Sequence, residues 1–543
     1  MLIIQGNLVD IFQRSIYPAS IHIENGKIRS IERLSEVLHT YILPGFVDAH
    51  VHIESSMIIP SEFARLCLPH GTIGTVSDPH EIANVLGMRG IEFMIDNAKL
   101  TPLTIVYGAP SCVPATSFET AGSSIDIDDI KQLFKKPEIG YLSEMMNYPG
   151  VLFSDPMVME KIRIATEQGK PIDGHAPGLR GEKARIYANA GITTDHECYS
   201  LEEAIEKIEY GMHILIREGS AAKNFDALHP LINLYPEFCM FCSDDKHPDD
   251  LVRGHINEIV RRAVSMGYDV FDVLRIAHLH PKEHYGINIG SLRVGDKADF
   301  ILCDNLVDFK PHSVYVNGEC IAKHNSITFD LETPHTDNFS VCNISPITLD
   351  TLSIPSKSEM IRVIECIPGE LITKSIIAKI HPIEGVLHSD ISRDILKIAN
   401  VNRYHESDIA LGFVKGMGLK NGAIASTIAH DSHNIIAIGA DDESMLNAIN
   451  ALIECKGGIA YANGERVEFL PLEIAGLMSS RNGYDIAKQY EIIDQMAREA
   501  GSDIHAPFMS LSFLALLVIP SLKLSDKGLF DGDTFTFTSL YCD

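Results

Sequence analysis

The stretch that decides the fold lies near the start of the chain and reads Leu43-Pro44-Gly45-Phe46-Val47-Asp48-Ala49-His50-Val51-His52. It predicts an apolar strand that ends in two histidines one residue apart. Because side chains alternate faces along a strand, His50 and His52 point the same way. Two imidazoles that converge from one strand end can form half of a metal site. The other half is expected among the residues further along the chain.

Seven more strand-like segments follow, with helix-like stretches such as 201–210 and 257–266 between them. Together with 43–47, the eight predicted strands are 74–77, 104–107, 140–143, 171–174, 191–194, 213–216 and 238–241. Eight alternating units over about 240 residues fit a closed (β/α)8 barrel of the TIM type in size and count. The strand pattern taken alone leaves an open doubly wound sheet as the alternative.

Shorter strands and turns flank this middle region on both sides. Residues 1–43 alternate apolar and polar positions around the turn 24–27, and residues 287–335 resume strands around an Asn-Gly turn at 317–318. We predict that the two segments form one small β-sandwich beside the barrel, which occupies residues 44–286. Residues 336–543 are predicted to be a separate C-terminal α/β domain, with a strand at 434–439 and a helix at 443–455.

The composition narrows the class of protein. A net charge of -28 argues against non-specific nucleic-acid binding, which depends on a cationic surface. Eleven cysteines include a single Cys-x-x-Cys spacing, which is no disulfide framework and indicates reduced thiols in a cytoplasmic protein. No signal peptide is evident at the N-terminus, and no apolar run reaches the roughly 18 residues of a membrane span. We therefore expect a cytoplasmic protein without nucleic-acid or membrane partners.

Polar side chains follow several predicted strands directly, at the end where barrel enzymes place their active sites. Besides His50 and His52, these are Glu144 after strand four, His175 after strand five, His196 after strand six and Asp244 after strand eight. Four imidazoles and two carboxylates can hold two divalent ions, and Glu144 is placed to bridge them. Nitrogen and oxygen ligands without thiolate suit Mn, Fe or Zn. Asp245 is the alternative to Asp244, which is closer to its strand.

This ordered set of residues resembles the amidohydrolase superfamily. Many members carry a carboxylated lysine on strand four that bridges two metals, whereas this chain has Glu144. The longer strings 44–56, 77–85, 144–147, 217–221 and 430–434 resemble the bacterial adenine deaminase family. That resemblance covers nearly the whole chain, including the C-terminal domain that most superfamily members lack.

The resemblance implies hydrolysis of adenine to hypoxanthine and ammonia in purine salvage, by attack of a metal-bound hydroxide at C6. It implies two divalent ions, Mn(II) first and Fe(II) or Zn(II) as alternatives, and a homodimer or larger homo-oligomer. By analogy, Asp244 carries the proton to the leaving ammonia. His80, Glu81 and Asp245 are alternative proton carriers.

Three residues after strand seven, Arg217, Glu218 and Ser220, are predicted to bind the substrate. The alternative for Arg217 and Glu218 is a structural ion pair at the barrel mouth, and the alternative for His80 and Glu81 is helix capping. The segment 430–433, His-Asp-Ser-His, could close over the barrel, bind a third ion or only form a turn. Two competing hypotheses remain. In the first, a protein of the same fold acts on a cyclic amide or another aminopurine. In the second, the chain is a non-catalytic binding protein, and the complete set of metal ligands argues against this.

Overall fold

The centre of the molecule is a closed barrel of eight parallel strands. The computed structural model describes residues 1–36, 38–331, 339–367 and 370–542. In chain order the barrel strands are Phe46–Val51, Thr72–Ser77, Thr104–Ala109, Ile139–Met145, Ile172–Gly174, Thr194–Asp195, His213–Arg217 and Cys239–Cys242. The first five form one hydrogen-bonded set and the last three another.

Backbone hydrogen bonds join these two sets at both seams. The amide of Thr193 donates to the carbonyl of Ile172 at 2.8 Å, and the amide of Asp244 donates to the carbonyl of His50 at 2.9 Å. The first and eighth strands are therefore neighbours, which confirms the predicted barrel and excludes the open sheet. The first strand is buried at every position, as expected for a parallel strand covered on both faces.

Helices alternate with the strands and cover the barrel. Local chemistry sets their starts: Asp155 accepts hydrogen bonds from the amides of Met157 and Val158, and Pro156 occupies the first helical turn. The barrel helices are Pro60–Cys67, His80–Leu86, Met88–Ala98, Ile127–Leu133, Tyr148–Leu152, Pro156–Glu167, Gly181–Asn189, Leu201–Glu209, Phe225–Leu228, Leu231–Leu234, Pro248–Arg253, Ile256–Ser265, Val270–Leu274 and His280–Tyr285.

The two segments that flank the barrel meet in one continuous sheet of eight strands. Tyr41–Leu43 pairs on one side with Leu2–Asp10 and on the other with Phe300–Cys303, so the sheet joins both ends of the barrel. Its strands are Leu2–Asp10, Ser15–Glu24, Lys27–Arg33, Tyr41–Leu43, Phe300–Cys303, Pro311–Val316, Glu319–Lys323 and Ser326–Ile327. The predicted boundary at 335/336 lies outside the described residues, and the domain limits stay predictions.

The C-terminal region forms a second sheet of eight strands. In spatial order these are Thr373–Lys379, Met360–Cys366, Ala410–Lys415, Ile395–Val401, Ile435–Gly439, Ala423–Ser426, Gly458–Asn463 and Arg466–Pro471. The helices Asp442–Cys455, Gly483–Glu499 and Pro507–Ser512 accompany it, with the short strands Ile354–Pro355, Val386–Leu387, Leu522–Ser525, Gly528–Asp531 and Thr536–Phe537. The strand and helix predicted from this region's sequence are both present.

The C-terminal region is hydrogen-bonded to the barrel at several points. The amide of Gly483 donates to Glu62 Oε2 at 2.8 Å, and Asn434 Nδ2 donates to the carbonyl of Thr120 at 2.8 Å. This docking brings residues far apart in the chain to the barrel mouth. Within the described ranges, no helix combines the length and the apolar character needed to span a bilayer.

Candidate active site

The two histidines of the opening motif lie side by side at the end of the first barrel strand. Their Nε2 atoms are 3.2 Å apart, and both face Asp244 Oδ1, at 3.4 Å from His50 and 3.2 Å from His52. The ring of His196 stacks on that of His50 with 4.2 Å between centroids. The structure therefore brings strands one, six and eight together at one buried point.

Glu144 links this group to the remaining histidines through its two carboxylate oxygens. Oε1 lies 3.2 Å from His52 Nε2, whereas Oε2 lies 2.6 Å from His175 Nδ1 and 3.2 Å from His196 Nε2. Each oxygen thus serves a different set of imidazoles. This is the arrangement that a carboxylate needs in order to bridge two ions.

The residues fit two divalent ions by their donor chemistry. Donor atoms of His50, His196 and Asp244, and separately those of Glu144, His175 and His196, lie within 4.8 Å of one another. The second ring nitrogens His175 Nε2 and His196 Nδ1 are buried, with no hydrogen-bond partner among the described residues. Imidazole nitrogens and carboxylate oxygens are suitable ligands for Mn, Fe or Zn.

Charge compensation keeps both carboxylates of the cluster ionised. Burial alone would raise the pKa of Glu144, but His175, His196 and His52 hold it well below its usual range. Burial is likewise outweighed at Asp244, where Arg217 and the two strand-one histidines depress the pKa of the carboxyl. Both carboxylates are therefore ionised and available as ligands for a cation.

Arg217 lies behind Asp244 in a buried ion-pair network. Its guanidinium is 1% exposed, and Nη2 is 3.2 Å from Glu197 Oε2 while Nη1 contacts Glu197 Oε1 and Asp244 Oδ2. It does not line the cavity above the cluster. The geometry agrees with the structural alternative, although the partners are Glu197 and Asp244 rather than the predicted Glu218.

Glu218 and Ser220 do not line the cavity above the cluster, and their role in substrate binding stays a prediction. The carboxylate of Glu218 pairs with Arg262 Nη1 at 2.9 Å, and Ser220 Oγ donates to Asp250 Oδ2 at 2.6 Å. The chain forms a turn after Arg217, where the amide of Gly219 donates to the carbonyl of Ala222 at 3.1 Å. Glu218 and Ser220 therefore follow a barrel strand closely in the sequence but do not lie beside the metal cluster.

The segment 430–433 of the C-terminal domain reaches into the barrel and holds Glu81. His430 Nδ1 contacts Glu81 Oε1, and His433 Nε2 contacts Glu81 Oε2. His80 Nε2 lies 3.4 Å from Glu81 Oε1, and His80 Nδ1 lies 3.5 Å from Glu144 Oε1. The segment therefore closes over the barrel. Asp431 also forms, with His80 and Glu81, a group that could hold an ion, so the third-ion alternative stays a prediction.

Asp245 lines the same cavity as Asp244, and one oxygen of each aspartate lies within 4.8 Å of the other and of a ring nitrogen of His52. Asp245 accepts a hydrogen bond from Ser55 Oγ at 2.5 Å, and its Oδ1 is 4.0 Å from His430 Nε2. Burial, followed by the charge of Asp244, raises the pKa of Asp245. The two neighbouring aspartates thus differ in protonation tendency because only Asp244 has an arginine partner.

Several cavity residues carry no signal in the sequence. Leu371, Phe513 and Leu516 supply apolar walls, and the ring of Phe513 stacks on His430 with 4.9 Å between centroids. Glu197 and Asp78 are buried carboxylates beside the cluster, and only their places next to His196 and His80 hint at a role. The apolar walls come from ordinary hydrophobic runs that no motif distinguishes.

A closed barrel with histidines and a two-sided carboxylate at the carboxyl ends of its strands is the architecture of a metal-dependent hydrolase. The amidohydrolase family model matches residues 41–321, and the adenine deaminase C-terminal domain model matches residues 370–536. The chain belongs to the adenine deaminase family.

Three relatives described as adenine deaminase are similar to the chain over nearly its full length. The protein of Sulfurovum sp. is 52% identical, with 98% of each chain covered. That of Methanosarcina mazei is 49% identical and that of Parabacteroides distasonis 50% identical, both with 99% of each chain covered. The similarity therefore includes the C-terminal domain as well as the barrel.

Proposed function

We propose that this protein hydrolyses adenine to hypoxanthine and ammonia in purine salvage. The observation that carries the proposal is Glu144, whose two oxygens face separate histidine sets in a buried cavity. Support also comes from full-length relatives at about half identity that bear the name adenine deaminase. Water replaces the exocyclic amine at C6, so one water is consumed and one ammonia leaves for each purine.

The metal centre is proposed to hold two divalent ions through His50, His52, Glu144, His175, His196 and Asp244. When bound, the ions supply Lewis-acid activation of water next to C6 of the purine. Mn(II) is the first candidate, with Fe(II) and Zn(II) as alternatives, because all three accept imidazole and carboxylate ligands. Elemental analysis of protein reconstituted with each ion tests this, with two ions per chain expected.

Asp244 is proposed to accept the proton of the attacking water and to return one to the leaving nitrogen. Arg217 supports this role because it fixes Asp244 Oδ2 and leaves Oδ1 toward the histidines. His80, Glu81 and Asp245 remain alternative carriers, since all three line the cavity. A solvent isotope effect that disappears in one of the variants H80Q, E81Q or D245N would identify that residue as a carrier.

The walls of the cavity are proposed to exclude water and to contact the flat purine ring. Phe513, Leu371 and Leu516 supply the apolar area, and Glu81 supplies a fixed hydrogen-bond acceptor. An aromatic face is a suitable partner for a heteroaromatic base. We expect F513A to raise KM for adenine with a smaller effect on kcat.

The assay for the main proposal measures ammonia and hypoxanthine released from adenine by the metal-loaded protein. Stoichiometric release of both products is the expected result. Absence of turnover with Mn(II) and with Fe(II), or faster ring opening of a cyclic amide than deamination of adenine, would contradict the proposal. We also propose that the protein is cytoplasmic and forms a homodimer or larger homo-oligomer. Light scattering on the same preparation tests the assembly, with at least twice the mass of one chain expected.

A further inference from the structure

A second cavity lies on the outer side of the loops that follow barrel strands seven and eight. Its volume is about 390 Å³, and it shares no lining residue with the cavity above the metal cluster. Gly219 and Lys223 enter it from the loop after strand seven, and Lys246 enters it from the loop after strand eight. His255, which directly precedes the helix Ile256–Ser265, completes this wall.

Each acidic residue of this cavity pairs with an arginine of the same cavity, and Arg253 and Arg262 also pair with Asp249, Glu491 and Asp226 outside it. The pairs are Glu218 with Arg262 at 2.9 Å, Asp250 with Arg253 at 3.0 Å and Glu258 with Arg261 at 2.5 Å. Three lysines remain: Lys223, Lys246 and Lys310. Within the described part of the chain, none of the three has an ion pair or a side-chain hydrogen bond.

The side chains that line this cavity include six basic and three acidic residues, in contrast to the chain as a whole. The chain carries 73 acidic and 45 basic residues, with a net charge of -28. The charges of Glu218 and Asp250 act on Lys246 from beyond ion-pair distance. Three lysines that converge on one concavity still repel one another, and an anion between them would offset that repulsion. Lys246 is only partly exposed, so water compensates its charge less completely than it does for a lysine on an open surface.

The position of this cavity in the fold, like its charge, favours an anionic ligand. In (β/α)8 barrels, the loops after strands seven and eight and the N-terminus of a nearby helix frequently form a phosphate site. Here the loops after the same two strands meet the start of the helix Ile256–Ser265, whose first turn adds partial positive charge. Lys310, which directly precedes the strand Pro311–Val316 of the flanking sheet, closes the cavity from the other side.

We propose that this cavity binds a phosphate group, either free or on a small phosphomonoester, through Lys223, Lys246 and Lys310. The ammonium groups would donate charge-assisted hydrogen bonds to the phosphate oxygens. The site is separate from the one proposed for adenine. It adds a second ligand to the protein and does not alter the chemistry of the first.

The test is isothermal titration calorimetry of the full-length, metal-loaded protein with inorganic phosphate. We expect K223M/K310M to weaken binding by about tenfold or more, because two charge-assisted contacts are lost. The control K374M removes an exposed lysine from the C-terminal sheet and should bind phosphate as the wild type does. Because Lys223 and Lys310 are exposed, both substitutions should leave the fold intact.

Two results would overturn the proposal. One is the absence of phosphate binding to the wild-type protein, and the other is equal binding to K223M/K310M, which would place the phosphate elsewhere, for example on the metal ions. Ribose 5-phosphate, with ribose as the uncharged control, separates the two sources of the ligand. Tighter binding of ribose 5-phosphate assigns the site to a phosphomonoester, and equal binding assigns it to free phosphate. Deamination is not measured, so this result is independent of the proposed function.

Discussion

Glu144 contacts His52, His175 and His196, which follow three different barrel strands. Its oxygens contact imidazoles on two sides, at 3.2 Å to His52 and 2.6 Å to His175. We expect E144Q to lose most of its bound metal and about 100-fold or more of its turnover, because a neutral amide offers only one oxygen to a bridge. Elemental analysis and ammonia release measure the two effects.

The control for this substitution is E160Q, which removes a carboxylate from the barrel surface, where Glu160 pairs with Arg163. It should keep both metal content and rate. Full metal occupancy together with a wild-type rate in E144Q would contradict the bridging role.

Arg217 gives a prediction about stability rather than substrate affinity. R217M leaves Glu197 and Asp244 as uncompensated buried carboxylates, which should lower the free energy of unfolding by about 3–5 kcal/mol. R217M/E197Q should recover part of that loss, because one of the two charges is then removed. Urea unfolding measures both variants, with R163M as a surface control.

The opposite result would indicate that Arg217 binds the substrate. If R217M unfolded at the wild-type urea concentration but bound adenine more weakly, the arginine would act on the purine and not on its carboxylate neighbours. The sequence alone could not decide this. Arg217 ends its strand as catalytic residues do, and only the tertiary structure shows that its guanidinium is buried against Glu197.

At the scale of elements, the segment 430–433 ties the C-terminal domain to the helix His80–Leu86. Two histidines of this segment contact the two oxygens of Glu81. We expect H430Q/H433Q to lower kcat by about tenfold or more, because a loosened Glu81 is no longer held in a productive geometry. The metal content should not change, which elemental analysis would verify.

The matched control is H381Q, since His381 belongs to the same domain and its side chain is 73% exposed. Loss of metal from H430Q/H433Q would contradict a positioning role and would include these histidines in the metal centre. Unchanged kcat would show that Glu81 keeps its place without them.

The elements of the barrel were largely predictable from the sequence, whereas the contacts between distant elements were not. Short apolar runs bounded by turn residues mark all eight strands, because a parallel strand is buried on both faces. The predicted first barrel strand, 43–47, starts too early, since Leu43 ends the sheet strand Tyr41–Leu43 and the barrel strand is Phe46–Val51. The contact between Glu81 and His430 spans 349 positions, and no local pattern encodes it.

At the scale of the whole molecule, Lys523 links stability to pH. It is fully buried and donates to the carbonyls of Leu371 at 2.7 Å and Phe513 at 3.0 Å, two residues of the cavity wall. Burial lowers the pKa of Lys523 to about 7. The pKa of a lysine in an unfolded chain is about 10.4. Between these two pH values the unfolded chain therefore binds more protons than the folded one.

The contribution of Lys523 to the free energy of unfolding should therefore rise with pH between about 7 and 10.4. Below pH 7 both states carry the proton and the cost of the buried charge is complete, and above about pH 10.4 that cost is gone. From about pH 7.5 to 9.5, we expect the wild type to gain roughly 2 kcal/mol of unfolding free energy relative to K523M. Denaturant titrations at both pH values measure the difference, and a pH-independent difference would contradict it. K374M serves as the exposed control.

The sheet that joins both ends of the barrel has a consequence for synthesis on the ribosome. Tyr41–Leu43 leaves the exit tunnel long before its partner Phe300–Cys303 has been translated. At about 5–20 residues per second, the interval of some 260 residues lasts roughly 15–50 s. During that time the nascent chain presents an open strand edge that can pair with another polypeptide. The yield of native protein should therefore depend on the rate of translation between these two strands.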